Sequence, residues 1–390
     1  MELFLPPLDP DRLLGCLLGL AIGDALGAPV DELSLAGIRE RHGPEGVRDF
    51  DGNGVAAITA NTQMALCTAR AALRASARGR AKGIGGAALG LVQTEYLTWL
   101  SGQGETAAGP SGPPGPVPPM DDPLTARRAP GGTSLSALRR AAERERPGLP
   151  LGTVDEPINA SKGCGAVARA APCGFGAGSM AAAFDFGSGS AALTHGDPGG
   201  YLPAGMLAAT VWALIRGARM DDAVARALGI LLNRRGHGDV SSAVRAATEL
   251  TRGGPPEPEG LDGLGTERTG DRALAAAVCV ARCAPAFDGE RSMAGIHDLR
   301  RGPDKVGRRA LAAAVNHSGA SATVGAICGA LVGACYGTAA FPGHWQALVE
   351  VRPHIIGLAA DCALEFGPNP PTDPRHGGPS FGWPSGLPEG

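Results

Sequence analysis

Residues 11–28 read DRLLGCLLGLAIGDALGA, and their glycines fall at 15, 19, 23 and 27. Every fourth residue lies on one face of an α-helix, so a helix here carries a groove of bare backbone along that face. An interior glycine costs up to about 1 kcal/mol against alanine, so a row of four argues for close helix approach. A second row, Gly325, Gly329, Gly333 and Gly337, lies near the other end of the chain. Rows spaced by four are the ones that interdigitate between packed helices. The two rows therefore predict two central helices; the spacing leaves open whether they pack on each other. High glycine content with chance spacing is the plain alternative, since the chain holds 61 glycines. Asp11 is the expected N-cap of the first helix.

Outward from these rows the periodicity stays helical. Helices are expected over about 62–78, 83–100, 134–146, 221–233, 240–251, 271–283, 306–315, 322–337 and 343–365. A long apolar helix follows the turn His195–Gly200, and the stretch 161–176 is a Gly-rich loop running into a short helix. Period-2 alternation is nearly absent. The reading is all-α, with Pro/Gly-rich loop insertions at 101–132 and 253–270. A Pro/Gly-rich tail, 367–390, is expected to be disordered.

Composition limits the partners. With 390 residues the chain can bury a large core. Apolar content of 44% and charged content of 19% are those of a globular protein. A net charge of −3 indicates neither a nucleic-acid partner nor an acidic membrane surface. Aromatics make up only 4%, so the core must be filled by Ala, Leu and Val with backbones close together. The nine cysteines are scattered through apolar runs, which reads as intracellular and reduced. Cys279 and Cys283 have helical spacing but no second pair or histidine nearby to make a zinc site. Leu13–Ile22 could pass for a signal-peptide core. Glu2, Asp9 and Asp11 precede or open it against a single Arg12, so it has no positive n-region. No run reaches the ~20 unbroken apolar residues of a membrane span. The expectation is a cytoplasmic protein with no membrane partner.

Several short stretches carry chemistry. Ile58-Thr59-Ala60-Asn61-Thr62-Gln63-Met64 comes after a Gly/Asp-rich loop and opens a helix, where hydroxyl oxygens can accept from the free N–H groups of the first turn. Ser161-Lys162-Gly163-Cys164-Gly165 brings two glycines before a helix start, a place where backbone N–H groups can approach an anion. An ordinary tight turn is the other reading. His195 is a cleft residue or simply a satisfied turn histidine. Asp24 and Asp31 are the carboxylates available for acid–base chemistry, and Asp24 serves equally well as a partner for backbone groups at a helix end.

Together these stretches resemble the ADP-ribosylglycohydrolase family, of the dinitrogenase reductase-activating glycohydrolase kind. Gly23–Val30 matches the end of the family's N-terminal helix, with Asp31 where an acidic residue contacts the substrate ribose. Ile58–Met64 matches its first metal motif, Thr-Asp-Asp-Thr-Gln-Met. Ser161–Ala166, with Arg169 and Pro172 beyond, matches the diphosphate loop. Leu193-Thr194-His195-Gly196 and Gly200-Tyr201 match the next segment. Asn316–Thr323 matches the second metal motif, usually Asn-His-Gly-Gly-Asp-Ser-Asp-Ser/Thr. The five stretches keep the family's order over residues 11–365, and the resemblance implies the family's all-α orthogonal multi-helix bundle in one domain, residues 1–366.

The resemblance implies an ADP-ribose-shaped pocket with ligand contacts from Asp31, Thr59, Asn61, Ser161, Lys162, Gly163, Cys164, Gly165, His195, Asn316 and Ser321. It also implies two Mg²⁺ or Mn²⁺ ions held by four aspartates. Here those positions are Ala60, Asn61, Ala320 and Ala322, and only neutral oxygens such as Thr59 and Thr323 remain beside them. Hard dications need carboxylate ligands, so no cofactor is expected. The implied protein is a degenerate member that binds ADP-ribose, or an ADP-ribosylated protein, without the family's hydrolysis. The alternatives are a metal-independent hydrolase using Asp31, Asp24 or His195, and a structural protein with a vestigial pocket.

Overall fold

The computed structural model describes residues 6–50, 54–83, 85–105, 122–143, 150–284 and 305–371. Residues 106–121 of the 101–132 insertion and the tail from 372 onward lie outside these residues. The chain folds through α1 (Pro10–Gly27), α2 (Leu35–His42), α3 (Ala60–Lys82), α4 (Ala88–Gly102), α5 (Gly132–Ala142), α6 (Met180–Ala192) and α7 (Pro198–Leu214). It continues through α8 (Met220–Leu231), α9 (Gly238–Leu250), α10 (Pro258–Asp262), α11 (Gly270–Arg282), α12 (Lys305–Val315), α13 (Ser321–Tyr336), α14 (Gly343–Leu348) and α15 (Arg352–Glu365). Among the described residues the only β-pairing is two isolated bridges, Ala56 with Val349 and Gly163 with Thr269. The architecture is all-α.

Asp9, not Asp11, caps α1: its carboxylate accepts from the N–H groups of Asp11 (2.9 Å) and Arg12 (3.4 Å), with Pro10 at the first helical position. Asp11 instead accepts from Thr338 Oγ1 at 2.6 Å and so ties the start of α1 to the end of α13.

The two glycine rows face each other. Gly15 lies against Gly333 and Gly337, Gly19 against Gly329, Gly23 against Gly325, and Gly27 against Ser321. Partner numbers fall as α1 numbers rise, so α1 and α13 run antiparallel in register. A Cβ on Gly15 would lie 2.6 Å from the Gly333 carbonyl oxygen, and one on Gly19, Gly23 or Gly27 would strike backbone of α13. Leu13, Leu20 and Ile22 fill the flanks of α1 and are fully buried, each contributing about 1.5–3 kcal/mol of apolar burial. The stretch Pro10–Val30 is long and apolar enough to cross a membrane, but in this fold 83% of its apolar window is buried.

Several elements depart from the sequence reading, among them α2, which no expected helix covers. The final helix is two, α14 and α15, because Val349 leaves helical geometry to pair with Ala56 and Pro353 restarts the helix. The helix α6 has no counterpart among the expected helices. Ser179 caps it, accepting from Ala182 N–H at 3.0 Å, and its Gly187 packs on Ala204 and Ala208 of α7. The 253–270 insertion holds one short helix, α10. All nine cysteines are buried and unpaired with one another.

The antiparallel pair gathers several helix ends at one place. The C-terminal end of α1 lies beside the N-terminal end of α13, and α3 begins against the same end. The Gly-rich loop arrives from the other side, where the Gly163–Thr269 bridge holds it ahead of α11.

Candidate functional site

Asp24 is the hub of this end of the bundle. It is fully buried on the last turn of α1, and five donors reach its carboxylate. Thr59 gives its N–H (2.8 Å) and Oγ1 (2.6 Å), Thr62 its N–H (3.2 Å) and Oγ1 (2.6 Å), and Asn61 its Nδ2 (3.1 Å). The carboxylate thus satisfies the first turn of α3 and sits where that helix's dipole favours negative charge. Burial pushes the Asp24 carboxyl above its ordinary range, and the bonds from Thr59, Thr62 and Asn61 pull it back.

Beside this hub an open cleft of about 340 Å³ is lined by Asp31, Thr59, Ala60, Asn61, Gly163, Cys164, Gly165, His195, Arg268, Ala322 and Thr323, among others. Seven of the sequence-derived ligand contacts therefore meet there: Asp31, Thr59, Asn61, Gly163, Cys164, Gly165 and His195. Four others stand beside or behind the wall. Asn316 pins the chain at Val47, accepting from its N–H (2.8 Å) and donating to its carbonyl (2.8 Å). Ser321 is fully buried and donates to the His317 carbonyl at 3.2 Å. Ser161 Oγ accepts from Gly163 N–H at 3.2 Å. Lys162 reaches outward to Asp239 at 3.4 Å.

His195 is buried, with Nδ1 2.7 Å from Thr194 Oγ1. Burial and the nearby Arg169 push its pKa down to about 3, so its ring is neutral at physiological pH. Gly163 gives this ring room, since a Cβ there would lie 3.3 Å from His195 Nε2. Arg169 itself is fully buried behind the wall, over the Tyr96 ring at 4.6 Å and bonded to Ser134 Oγ at 3.3 Å. Cys164 points its thiol at Thr323 Oγ1 (3.8 Å), and burial pushes that thiol up.

Three of the four implied metal-ligand positions meet at the cleft, with neutral side chains. Ala60, Asn61 and Ala322 line the cleft, and Ala320 lies behind it at the start of α13. The hydroxyls of Thr59 and Thr62 and the amide of Asn61 are turned to Asp24. Among the described residues no three His, Cys, Asp or Glu side chains group as a metal site. This donor set does not fit a pair of hard dications.

Two parts of the cleft escaped the sequence reading. One is the loop Ala129–Ser134, whose Pro130-Gly131-Gly132 is a turn signal and nothing more. It is tied to α3 through Ala60 N–H on the Arg128 carbonyl at 3.0 Å. The other is Arg268, inside the 253–270 insertion. Its guanidinium donates to Asp31 Oδ2 (2.8 Å) and to the Gly319 carbonyl (3.1 Å). The other oxygen of Asp31 accepts from Ala322 N–H at 3.0 Å. Of the two candidate catalytic carboxylates, only Asp31 reaches the cleft, and both of its oxygens are engaged.

The fold and site define an all-α protein with a polar cleft built where three helix ends and a Gly-rich loop meet. The ADP-ribosylglycohydrolase family model matches residues 6–371, and the chain belongs to that family. A solved structure described as an ADP-ribosylglycohydrolase-related protein complex shares the fold. Its TM-score is 0.56 at 24% identity, covering 91% of this chain and 97% of that chain. An uncharacterized protein of Archaeoglobus fulgidus is 52% identical over 40 residues, which is 10% of this chain and 12% of that relative.

Proposed function

We propose that the protein binds ADP-ribose or a related nucleotide, free or carried on an ADP-ribosylated protein, without divalent metal and without cleaving it. One observation carries this reading. The cleft of a family member keeps Asp31, the Gly163–Gly165 loop and His195, while all four implied metal carboxylates are replaced by Ala60, Asn61, Ala320 and Ala322. Loss of cleavage is supported by the state of the carboxylates. Glycosidic hydrolysis needs a pair of carboxyl groups, or metals, flanking the bond. Asp24 is sealed under five donors, and Asp31 has a partner on each oxygen.

Calorimetric titration with ADP-ribose, once in EDTA and once in Mg²⁺, tests the reading. The expected result is the same affinity in both buffers. Tightening by Mg²⁺ overturns the metal-free part. No heat at millimolar ligand overturns the ligand and leaves a structural protein. Turnover of an ADP-ribosylated peptide in EDTA, lost in Asp31→Ala, shows an enzyme instead.

A further inference from the structure

A diphosphate is anionic, and a cleft without dications must answer that charge by other means; the inference rests on the proposal that ADP-ribose or a related nucleotide is the ligand. Several donors of the Gly-rich loop and of α13 are engaged, while the start of α5, which also lines the cleft, has no side-chain cap. Gly163 N–H donates to Ser161 Oγ (3.2 Å), and Cys164 N–H donates to the Arg268 carbonyl (3.0 Å). Ala322 N–H, at the start of α13, is held by Asp31. His195 is neutral, and Lys162 faces Asp239. Among the described residues lining the cleft, one cationic side chain is left, Arg268.

Its placement is built rather than incidental. The backbone around Arg268 is clamped to the Gly-rich loop on both sides: Cys164 N–H bonds the Arg268 carbonyl, and Gly270 N–H bonds the Lys162 carbonyl at 2.8 Å. Gly319, with φ of 116°, lets the loop before α13 press against this segment, since a Cβ there would lie 2.8 Å from the Thr266 carbonyl oxygen. The guanidinium then spans from one loop to the other, held by Asp31 and the Gly319 carbonyl. A guanidinium has five N–H donors in a fixed fork. Two bonds orient it, and Glu32 Oε1 lies 3.7 Å from the nitrogen that meets Asp31; the fork's other N–H groups remain for a ligand in the cleft.

We propose that Arg268 is the anion-binding group of this cleft: its guanidinium takes the diphosphate by charge-assisted hydrogen bonds, with Asp31 as the residue that positions it. The positive charge that dications supply in the family is supplied here by a side chain from the 253–270 insertion.

The test is calorimetry on the full chain in EDTA, with inorganic pyrophosphate and, separately, ADP-ribose as probes. Arg268→Ala is expected to weaken pyrophosphate binding by about 10- to 100-fold, the range of a lost charge-assisted bond, and to flatten its salt dependence. Arg268→Lys, which keeps the charge without the fork, is expected to fall between. Arg268→Gln, which keeps hydrogen bonds and removes the charge, stands in if the alanine variant fails to fold. Wild-type affinity for both probes in a folded Arg268→Ala or Arg268→Gln overturns the proposal and leaves a structural ion pair. In that case ADP-ribose binding by the wild type still upholds the ligand reading. Arg268-dependent binding of pyrophosphate with none of ADP-ribose upholds the anion site and overturns that reading. Binding of neither probe by the wild type overturns both.

Discussion

Five donors converge on the Asp24 carboxylate, and they fix what that residue can do. Two are backbone N–H groups of Thr59 and Thr62, which cannot turn round and accept. Both reach Oδ2, so an asparagine that keeps its carbonyl there turns its NH₂ to the Oδ1 side, against the two donors Thr59 Oγ1 and Asn61 Nδ2. It also gives up a negative charge at the start of α3. Asp24→Asn is expected to lower unfolding free energy by about 2–4 kcal/mol, and an unchanged urea midpoint would refute the hub role. His195 makes a second prediction. Its pKa is about 3 folded against 6.5 for the ordinary ring, because burial and Arg169 disfavour the cation. The unfolded chain therefore takes up the proton first as pH falls. The stability this contributes is fully present above pH 6.5 and is lost as pH drops towards 3. Between pH ~7.5 and ~5 the wild type should lose about 2 kcal/mol that His195→Asn does not lose, as measured by denaturation at each pH. Both residues are legible in the sequence, Asp24 even in its structural role. Arg268 is not, because a single arginine in a Pro/Gly/Glu-rich loop carries no local signal. Only the tertiary bridge between Thr269 and Gly163 brings it to the cleft.

At the scale of elements, the packing of α1 on α13 is the strongest constraint in the fold. Each helix meets the other through backbone alone at four successive turns, so a methyl group has nowhere to go. Gly329→Ala would drive its Cβ into the Gly19 carbonyl and is expected to cost at least about 3 kcal/mol. Gly229→Ala is the control: that glycine lies exposed on α8 with nothing within 4 Å of an added Cβ. It should stabilise by up to about 1 kcal/mol through helix propensity. Similar losses at both positions in thermal melts would show that the rows matter as flexible backbone and not as contact surface. This contrast explains why the glycine rows are readable: a requirement repeated every fourth residue leaves a periodic mark. The helix α6 leaves no such mark, since its second half, Phe186-Gly187-Ser188-Gly189-Ser190, has loop composition and is held helical by packing on α7. The break between α14 and α15 depends on a bridge to Ala56, which no local pattern encodes.

At the scale of the whole molecule, the register of α1 on α13 carries the site. It holds Asp24 and Asp31 beside the start of α13, and the Asp24 hub brings up α3, so the cleft keeps its walls by protein contacts alone. EDTA should therefore leave the melting temperature of the wild type unchanged. The same geometry says what restoring the carboxylates must do. In the variant Ala60→Asp, Asn61→Asp, Ala320→Asp, Ala322→Asp, four new charges gather near Asp31. The Asn61 amide that bonds Asp24 at 3.1 Å is replaced by a group that repels it. Without metal this variant should melt below the wild type, because clustered carboxylates disfavour one another's charged forms. With millimolar Mg²⁺ its melting temperature should rise, by the mass action of a ligand that binds only the folded state. The wild type should show no such rise. Arg268 then becomes a liability, since its guanidinium is a cation in the cleft the ion must enter. Adding Arg268→Ala to the four aspartates should tighten Mg²⁺ further, read as a larger melting shift at equal Mg²⁺. If the four-aspartate variant gains nothing from Mg²⁺, with or without Arg268, the two motifs do not face a common ion site. The replacement of dications by an arginine then has no structural basis.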